Sequence, residues 1–327
     1  MKKYRLGIDL GGTNLVVALF DINQIKAGLP GMIGKTTVPT RWQQGYLTVA
    51  EDMAQLCNYL LQLHQIDKEQ VAYIGIGSPG VIDAEQGIIV YTSNLHFHNA
   101  PITDALSQLM DLPVQLANDA NAAALGEAAV GSTRGCRHSV VITLGTGVGG
   151  GVIADGKILL GFNGAGGELG HHVIAAGGLE CSCGRQGCWE AYSSATGLLQ
   201  MVKTLLPDYP ASLLWQAADQ TGEISDCRAV FSAYDKGDRA AQSILAEYLK
   251  MLAVGIVNVV NLFQPEILAI GGGLGARCDL YIPYLEAALQ REVYAYRWIK
   301  QTKIVPASLG NDAGLIGAAI LGEEDLF

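Results

Sequence analysis

Gly145-Thr146-Gly147-Val148-Gly149-Gly150 is the stretch that decides the fold. It spells G-x-G-x-x-G, the spacing of a dinucleotide-binding turn, and such a turn must leave a strand and open a helix. Residues 140–144 before it are short, apolar and β-branched, as a strand should be. After it comes Gly151-Val152-Ile153-Ala154, which is again strand-like. The stretch therefore predicts a β-hairpin with a glycine turn rather than a nicotinamide site. Glycines there let backbone N–H groups approach an anionic ligand with no Cβ in the way.

The same design stands near the N-terminus. Residues 4–9 and 15–21 read as strands around Leu10-Gly11-Gly12-Thr13-Asn14. Two such hairpins, about half a chain apart, predict two topologically related lobes, each offering a glycine turn toward a shared cleft. Helical patterns fall between them. Residues 47–64 are amphipathic and residues 120–130 are rich in alanine, the best helix former. Residues 238–263 carry Ile244, Leu245, Tyr248, Leu252 and Ile256 at three- and four-residue steps, and Pro265 ends the run. A strand at 267–270, the turn Gly271-Gly272-Gly273-Leu274-Gly275 and another helix follow. Residues 312–319 read as a buried small-residue helix. Alternating strands and helices place the chain in the α/β class.

Composition narrows the function. Half of the 327 residues are hydrophobic and 16% are charged, which allows a large core and two lobes of ordinary domain size. The net charge of −10 argues against a nucleic-acid or anionic-membrane partner, since both reward basic patches. Asp9 interrupts any apolar leader behind Lys2, Lys3 and Arg5. Residues 252–263 are the longest apolar run, too short and too polar to span a bilayer. The expected compartment is the cytoplasm. Of seven cysteines only Cys181, Cys183 and Cys188 cluster, which fits one metal site in a reducing compartment better than a disulfide framework.

That cluster is the most specific signal in the chain. Glu168-Leu169-Gly170-His171 is followed, after nine residues, by Cys181-Ser182-Cys183-Gly184-Arg185-Gln186-Gly187-Cys188-Trp189-Glu190. His171, Cys181, Cys183 and Cys188 make a Cys3His set, which suits tetrahedral zinc with every position filled by protein, a structural site. His172 competes as the imidazole ligand, and a surface or packing role is the expected one for it. A zinc clamp would fix Glu168 and Glu190 beside it, as recognition of a polyhydroxylated ligand requires. The plainer alternatives are a solvated loop residue for Glu168 and a helix-start acid for Glu190.

Other segments carry chemistry with an equally plain alternative beside each. Asp9, at a strand end before Gly11, Gly12 and Thr13, could hold magnesium through oxygen, though a simple hairpin turn explains the same residues. Gly272 and Gly273 could seat a nucleotide at the positive end of the helix that follows, or only allow close packing. Asn118-Asp119 ends an apolar strand and opens the alanine-rich helix. Both residue types are preferred N-caps, but a cap needs one of them, which leaves the other at a strand end as a candidate general base. Asn94 offers the amide donor and acceptor that sugar hydroxyls need, and a turn residue would look the same.

Taken together these motifs resemble the ROK family of sugar kinases, and within it the bacterial glucokinases. The likeness runs nearly end to end. Asp9-Leu10-Gly11-Gly12-Thr13 resembles the first phosphate motif. Residues 144–151 with Gly166-Gly167-Glu168-Leu169-Gly170-His171 resemble the family signature, and Cys181-x-Cys183-Gly184-x-x-Gly187-Cys188-x-Glu190 resembles its zinc motif.

The resemblance implies an actin-like ATPase fold, related to ribonuclease H, with two lobes and a cleft between them. The expected lobes are residues 1–117, with a C-terminal helix at about 306–327 packing back on them, and residues 118–305. It implies ATP and Mg2+, structural Zn2+, a hexose substrate and a homodimer or higher homo-oligomer. Position by position, Asn118 and Asp119 match a sugar contact and the catalytic base, and Asn94, Glu168, His171 and Glu190 match further sugar contacts, with His171 also on zinc. Asp9, Gly11, Gly12, Thr13, Gly145, Thr146, Gly147, Gly272 and Gly273 match the nucleotide and magnesium positions. Ser93 stands where these glucokinases often carry an acid, so sugar preference is open among glucose, N-acetylmannosamine, allose, fructose and β-glucosides. Repressors of the family carry a DNA-binding helix-turn-helix ahead of the first phosphate motif, and Asp9 leaves no room for one in this sequence. A non-enzymatic scaffold would have no use for Asp119 or the clamped acids.

Overall fold

The computed structural model describes residues 2–92 and 94–323. Ser93, and the last four residues of the helix expected at 306–327, lie outside the described residues. The first half of the chain runs β1 (Tyr4–Leu10), β2 (Asn14–Asp21), α1 (Ile22–Lys26), β3 (Met32–Pro39), α2 (Tyr46–Leu63), β4 (Val71–Ser78), β5 (Val81–Asp83), β6 (Ile88–Thr92), β7 (Phe97–Ala100), α3 (Ile102–Met110), β8 (Val114–Asn118) and α4 (Asp119–Val130). Then come β9 (Ser139–Leu144), β10 (Val148–Ala154), β11 (Lys157–Ile158), α5 (Glu190–Ser193), α6 (Ala195–Leu205), α7 (Arg228–Asp235), α8 (Arg239–Phe263), β12 (Ile267–Gly271), α9 (Cys278–Glu292), β13 (Lys303–Pro306) and α10 (Ala313–Ala319).

The two predicted hairpins seed two five-stranded sheets of matching order. One runs β3-β2-β1-β4-β8 and the other β11-β10-β9-β12-β13. In the first, β1 pairs antiparallel with β2 and parallel with β4, and β4 pairs parallel with β8. In the second, β10–β11 is antiparallel and β12–β13 is parallel. A third sheet, β5-β6-β7, completes the set among the described residues. This architecture is the actin-like ATPase fold expected from the sequence.

The chain divides into two compact units, residues 1–141, 150–167 and 307–327 in unit 1, and residues 142–149 and 168–306 in unit 2. Residues 118–141 and 150–167, expected with the second lobe, thus fall in unit 1. For residues 118–141 the reason lies in small residues. A Cβ on Gly126 would collide with the carbonyl of Ala313, and one on Gly317 with that of Ala122, so α4 and α10 pack backbone to backbone. The C-terminal end of α10 is anchored too, as Arg5 pairs with Glu323 at 2.6 Å and the Tyr73 hydroxyl donates to Ala319 O at 2.8 Å. The unit 1 core is built from Leu6, Ile8, Val17, Met53, Ile74 and Ile76, all fully buried.

In unit 2 the core forms around α8, whose N-cap Asp238 accepts from the Ala241 amide at 2.9 Å. Tyr248 of α8, Tyr281 of α9 and Trp189 are fully buried. At 25 residues α8 matches the helix read at 238–263, and by length and composition alone it would suffice to cross a membrane. More than half of its most apolar window is buried inside the protein, the burial of a core helix.

Candidate active site

Unit 1 gathers its polar residues where three parallel strands end. Asp9 of β1 pairs in register with Gly77 of β4, and Ser78 with Asn118 of β8. The crevice outside the carboxyl ends of such strands is where open α/β sheets bind ligands. The Asn118 side-chain oxygen accepts from Ala120 N at 2.9 Å and Asn121 N at 3.2 Å, so Asn118 is the N-cap of α4. Its Nδ2 donates to Gly80 O at 3.3 Å. The cap needs one residue, and Asp119 is the one left over. Asp119 Oδ1 accepts from Ala120 N at 2.8 Å.

Two carboxyls share this crevice, and Asp9 feels the charge of Asp119. Burial, and then the charge of Asp119, push the Asp9 carboxyl up to about 6. Burial likewise holds Asp119 above the ordinary aspartate value, with the Ala120 amide opposing it. Partly buried acids at close quarters favour either a shared proton or a bound cation. Beside them lies the first glycine turn. Gly11 N–H donates to Asn14 O at 2.9 Å, and Thr40 Oγ1 donates to Gly11 O at 2.7 Å. The Gly12 and Thr13 amides have no partner among the described residues. Asn94 adjoins this turn, since a Cβ on Gly12 would stand 3.5 Å from the Asn94 Cβ.

Unit 2 carries the second turn and the cysteine cluster, and they are joined. Gly145 N–H donates to Gly147 O at 3.0 Å, and Thr196 Oγ1 donates to Thr146 O at 3.0 Å. The Val148 amide donates to Glu190 Oε2 at 2.9 Å. Only the Thr146 and Gly147 amides of the turn then lack partners among the described residues. Glycine at 147 is a steric demand, because a Cβ there would run into the Glu190 carboxylate. Glycine at 170 is another, because a Cβ there would strike the carbonyl of Val148 and lift the Glu168–His171 segment off the hairpin. Glu168 itself precedes a 3-10 turn, Leu169–His171, and its carbonyl accepts from His171 N at 3.1 Å.

The donor atoms of His171, Cys181, Cys183 and Cys188 lie within 4.8 Å of one another. Cys181 Sγ stands 3.6 Å from His171 Nδ1, and Cys183 Sγ stands 3.7 Å from Cys188 Sγ. A tetrahedral zinc with ~2.3 Å bonds to sulfur has S–S edges of about 3.8 Å. The donor set and its spacing therefore fit such an ion. His172 is not part of it. Its Nδ1 meets Leu169 O, and its ring packs on Trp189 at 5.4 Å between centroids. Glu190 Oε1 accepts from Ser182 Oγ at 3.1 Å, so this carboxylate touches both cluster loop and hairpin. The helix-start alternative for Glu190 is also true in part, since it is the first residue of α5.

The third glycine turn differs from its sequence reading. Gly272 has φ +79°, and a 3-10 turn (Leu274–Arg277) separates it from α9, so the glycines do not open that helix directly. Gly273, but not Gly272, borders a cavity of about 1010 Å³ within unit 2. Gly145, Thr146 and Gly273 stand on one part of its wall, and Phe231, Asp235 and Arg277 on another. Sequence reading missed the last three. They lie in an ordinary amphipathic helix and a loop, and no motif spacing marks them.

The chain matches the ROK family over residues 5–325. It is 36% identical to the glucokinase of Thermotoga maritima, over 99% of each chain. It is 36% identical to that of Halalkalibacterium halodurans, over 98% of this chain and 94% of the relative. Among solved structures, a ROK family glucokinase from Streptomyces griseus in complex with glucose and AMPPNP superposes with TM-score 0.81 and 29% identity, covering 97% of this chain and 98% of that one.

Proposed function

The chain belongs to the ROK family, and from that premise we propose that it is an ATP-dependent hexose kinase that converts glucose to glucose 6-phosphate. The observation that carries the reading is the placement of Asp119. It begins α4 at the end of a parallel strand, beside Asp9, with Asn118 taking over the capping role.

Asp119 acts as general base. Its carboxylate takes the proton of the sugar 6-hydroxyl as that oxygen attacks the γ-phosphorus of ATP. The bond from that phosphorus to the bridging oxygen breaks, and ADP leaves with its electron pair. A base so placed contributes ~10²–10⁴-fold. Asp9 would hold magnesium, which neutralises phosphate charge when bound. The Gly12 and Thr13 amides, and the Thr146 and Gly147 amides, are the donors available for phosphate oxygens. The Cys3His cluster would hold zinc as a structural ion. The roles of Asn94, Asn118, Glu168, His171 and Glu190 as sugar contacts rest on the family resemblance. Gly273, at the edge of the unit 2 cavity, and its neighbour Gly272 belong to the nucleotide side. A homo-oligomer in the cytoplasm is the matching setting.

A panel of hexoses with ATP, read by ADP release, tests the reading. Glucose should give the highest kcat/KM. N-acetylmannosamine in its place would keep the kinase and change its sugar, and ATP turnover with no sugar in the panel would remove it.

A further inference from the structure

The thiols of the unit 2 cluster differ in exposure. Cys183 is exposed, whereas Cys181 and Cys188 are buried. Cys183 belongs to a tight turn, closed by the Cys181 amide on Arg185 O at 2.8 Å and the Gly184 amide on Cys181 O at 2.9 Å. Its Sγ lies 3.7 Å from Cys188 Sγ. A solvent-facing sulfur in contact with a buried one is the arrangement of a redox pair, an attacking thiol with a resolving thiol behind it.

The loop between the two sulfurs has one free end and one fixed end. A Cβ on Gly184 would meet nothing within 4 Å, so the Cys183 end has room to shift. A Cβ on Gly187 would collide with Ala175 O, and Cys188 pairs with Val173 in an isolated bridge, so the Cys188 end is packed in place. Arg185 brings a guanidinium to the cluster, donating to His171 O at 3.3 Å, and Cys188 Sγ stands 3.5 Å from the same carbonyl. A cation beside sulfur favours the thiolate, the reactive form. Cys181 faces elsewhere, with His171 Nδ1 at 3.6 Å and Glu190 Oε1 at 3.8 Å.

We propose that Cys183 and Cys188 are a peroxide-sensitive pair, whose oxidation to a disulfide opens the zinc set and loosens the glycine turn at 145–147. With hydrogen peroxide as oxidant the step balances. The Cys183 sulfur attacks one peroxide oxygen, the O–O bond breaks, and hydroxide leaves with the electron pair. The Cys188 sulfur then attacks the Cys183 sulfenic acid, the S–S bond forms, and a second hydroxide leaves. The two sulfurs are oxidised by one electron each, and peroxide is reduced by two. His171 and Cys181 remain, too few ligands for a closed structural site. Ser182 lies between the two ends of the disturbance. Its Oγ donates to Glu190 Oε1 at 3.1 Å, and Glu190 Oε2 accepts the Val148 amide at 2.9 Å, so movement of the loop reaches the turn. In a reducing compartment such a bridge is transient and regulatory.

The test titrates the zinc-loaded full chain with hydrogen peroxide. Released zinc is read with a chromogenic chelator, the cysteine peptides by mass spectrometry, and turnover by kcat/KM for ATP. Zinc release should track formation of a Cys183–Cys188 disulfide, and kcat/KM for ATP should fall by ~10–10²-fold. Zinc alone should not restore the oxidised protein, whereas a dithiol followed by zinc should. Cys136→Ser, which removes a partly exposed thiol outside the cluster, should respond as the wild type does. Zinc kept through oxidation, first oxidation at another cysteine, or a response lost in Cys136→Ser overturns the proposal. A chain purified without zinc, or an oxidised chain with unchanged kcat/KM for ATP, overturns it too. Absence of kinase activity before peroxide would remove the kinase reading alone, because zinc release and the disulfide are read without it.

Discussion

Glu190 accepts the Val148 amide at 2.9 Å, which bonds the acid two residues after Cys188 to the glycine turn at 145–147. One carboxylate thus spans the cysteine loop, through Ser182, and the phosphate-type hairpin. Gly147 is small because that carboxylate lies against it. Gly147→Ala should therefore cost ~1–3 kcal/mol of stability and lower kcat/KM. In a Glu190→Ala background the same change should cost much less. A double-mutant cycle by urea unfolding measures the coupling, and additive costs would show that the contact is not what constrains residue 147.

Asp119→Asn keeps the size and the bond from the Ala120 amide but cannot take a proton. It should lower kcat by ~10²–10⁴-fold with glucose binding by calorimetry largely intact. Asn118→Ala should behave differently. It removes the cap of α4, so it should cost ~1 kcal/mol of stability, and it also removes the proposed sugar contact. Near-normal turnover in Asp119→Asn would defeat the base assignment.

The pH dependence follows from burial. Asp119 must be ionised to accept a proton, and its carboxyl lies above the ordinary value of 3.8. The acid limb of kcat/KM should accordingly fall at a pH above that value. A limb at or below pH 3.8 would show that Asp119 is not the group titrating.

Asp9 makes the complementary statement about stability. Its carboxyl is at about 6 in the fold against 3.8 as an ordinary aspartate. The fold favours the protonated form, so that stability is fully present below 3.8 and is lost as pH rises through about 6. Asp9→Asn should then raise unfolding free energy at pH 8 by ~1–3 kcal/mol without magnesium, and by little at pH 4. Activity should be lost in the same variant. Equal stability of the two proteins at both pH values would place Asp9 in an ordinary solvated setting.

Much of this was legible in the residues. Both hairpins, the long α8 and the Cys3His cluster announce themselves through period and spacing, because a two-residue alternation, a 3.6-residue period and a ligand set are local signals. Asn118 and Asp119 were legible as a pair but not in their roles, since either type caps a helix and only the packed strand end separates them. The membership of residues 118–141 in unit 1 was not legible. It depends on glycine contacts between α4 and α10, nearly 200 residues apart. Phe231, Asp235 and Arg277 were invisible for the same reason, as their meaning arises only when α7 and the 274–277 turn meet around a cavity.

The cysteine cluster gives the last prediction. Without a cation its thiols crowd one another in a partly buried loop, and burial, with the neighbouring thiols adding to it, pushes Cys188 up to about 12. A bound zinc would convert these thiols to thiolates and release their protons, so its affinity should rise with pH. The ion would also tension the loop that holds Glu190 against Val148. Its removal should reach the glycine turn through that bond. Purified protein should contain one zinc per chain by metal analysis. Dialysis against a chelator should lower Tm and reduce kcat/KM by ~10–10²-fold, with both restored by zinc. Cys183 is the exposed ligand of the set. Cys183→Ser should lose the zinc with little direct damage to packing and should reproduce the chelated protein's Tm. A chain that carries no zinc, and whose Tm neither chelator nor Cys183→Ser moves, would mean that the four donors converge without holding a metal.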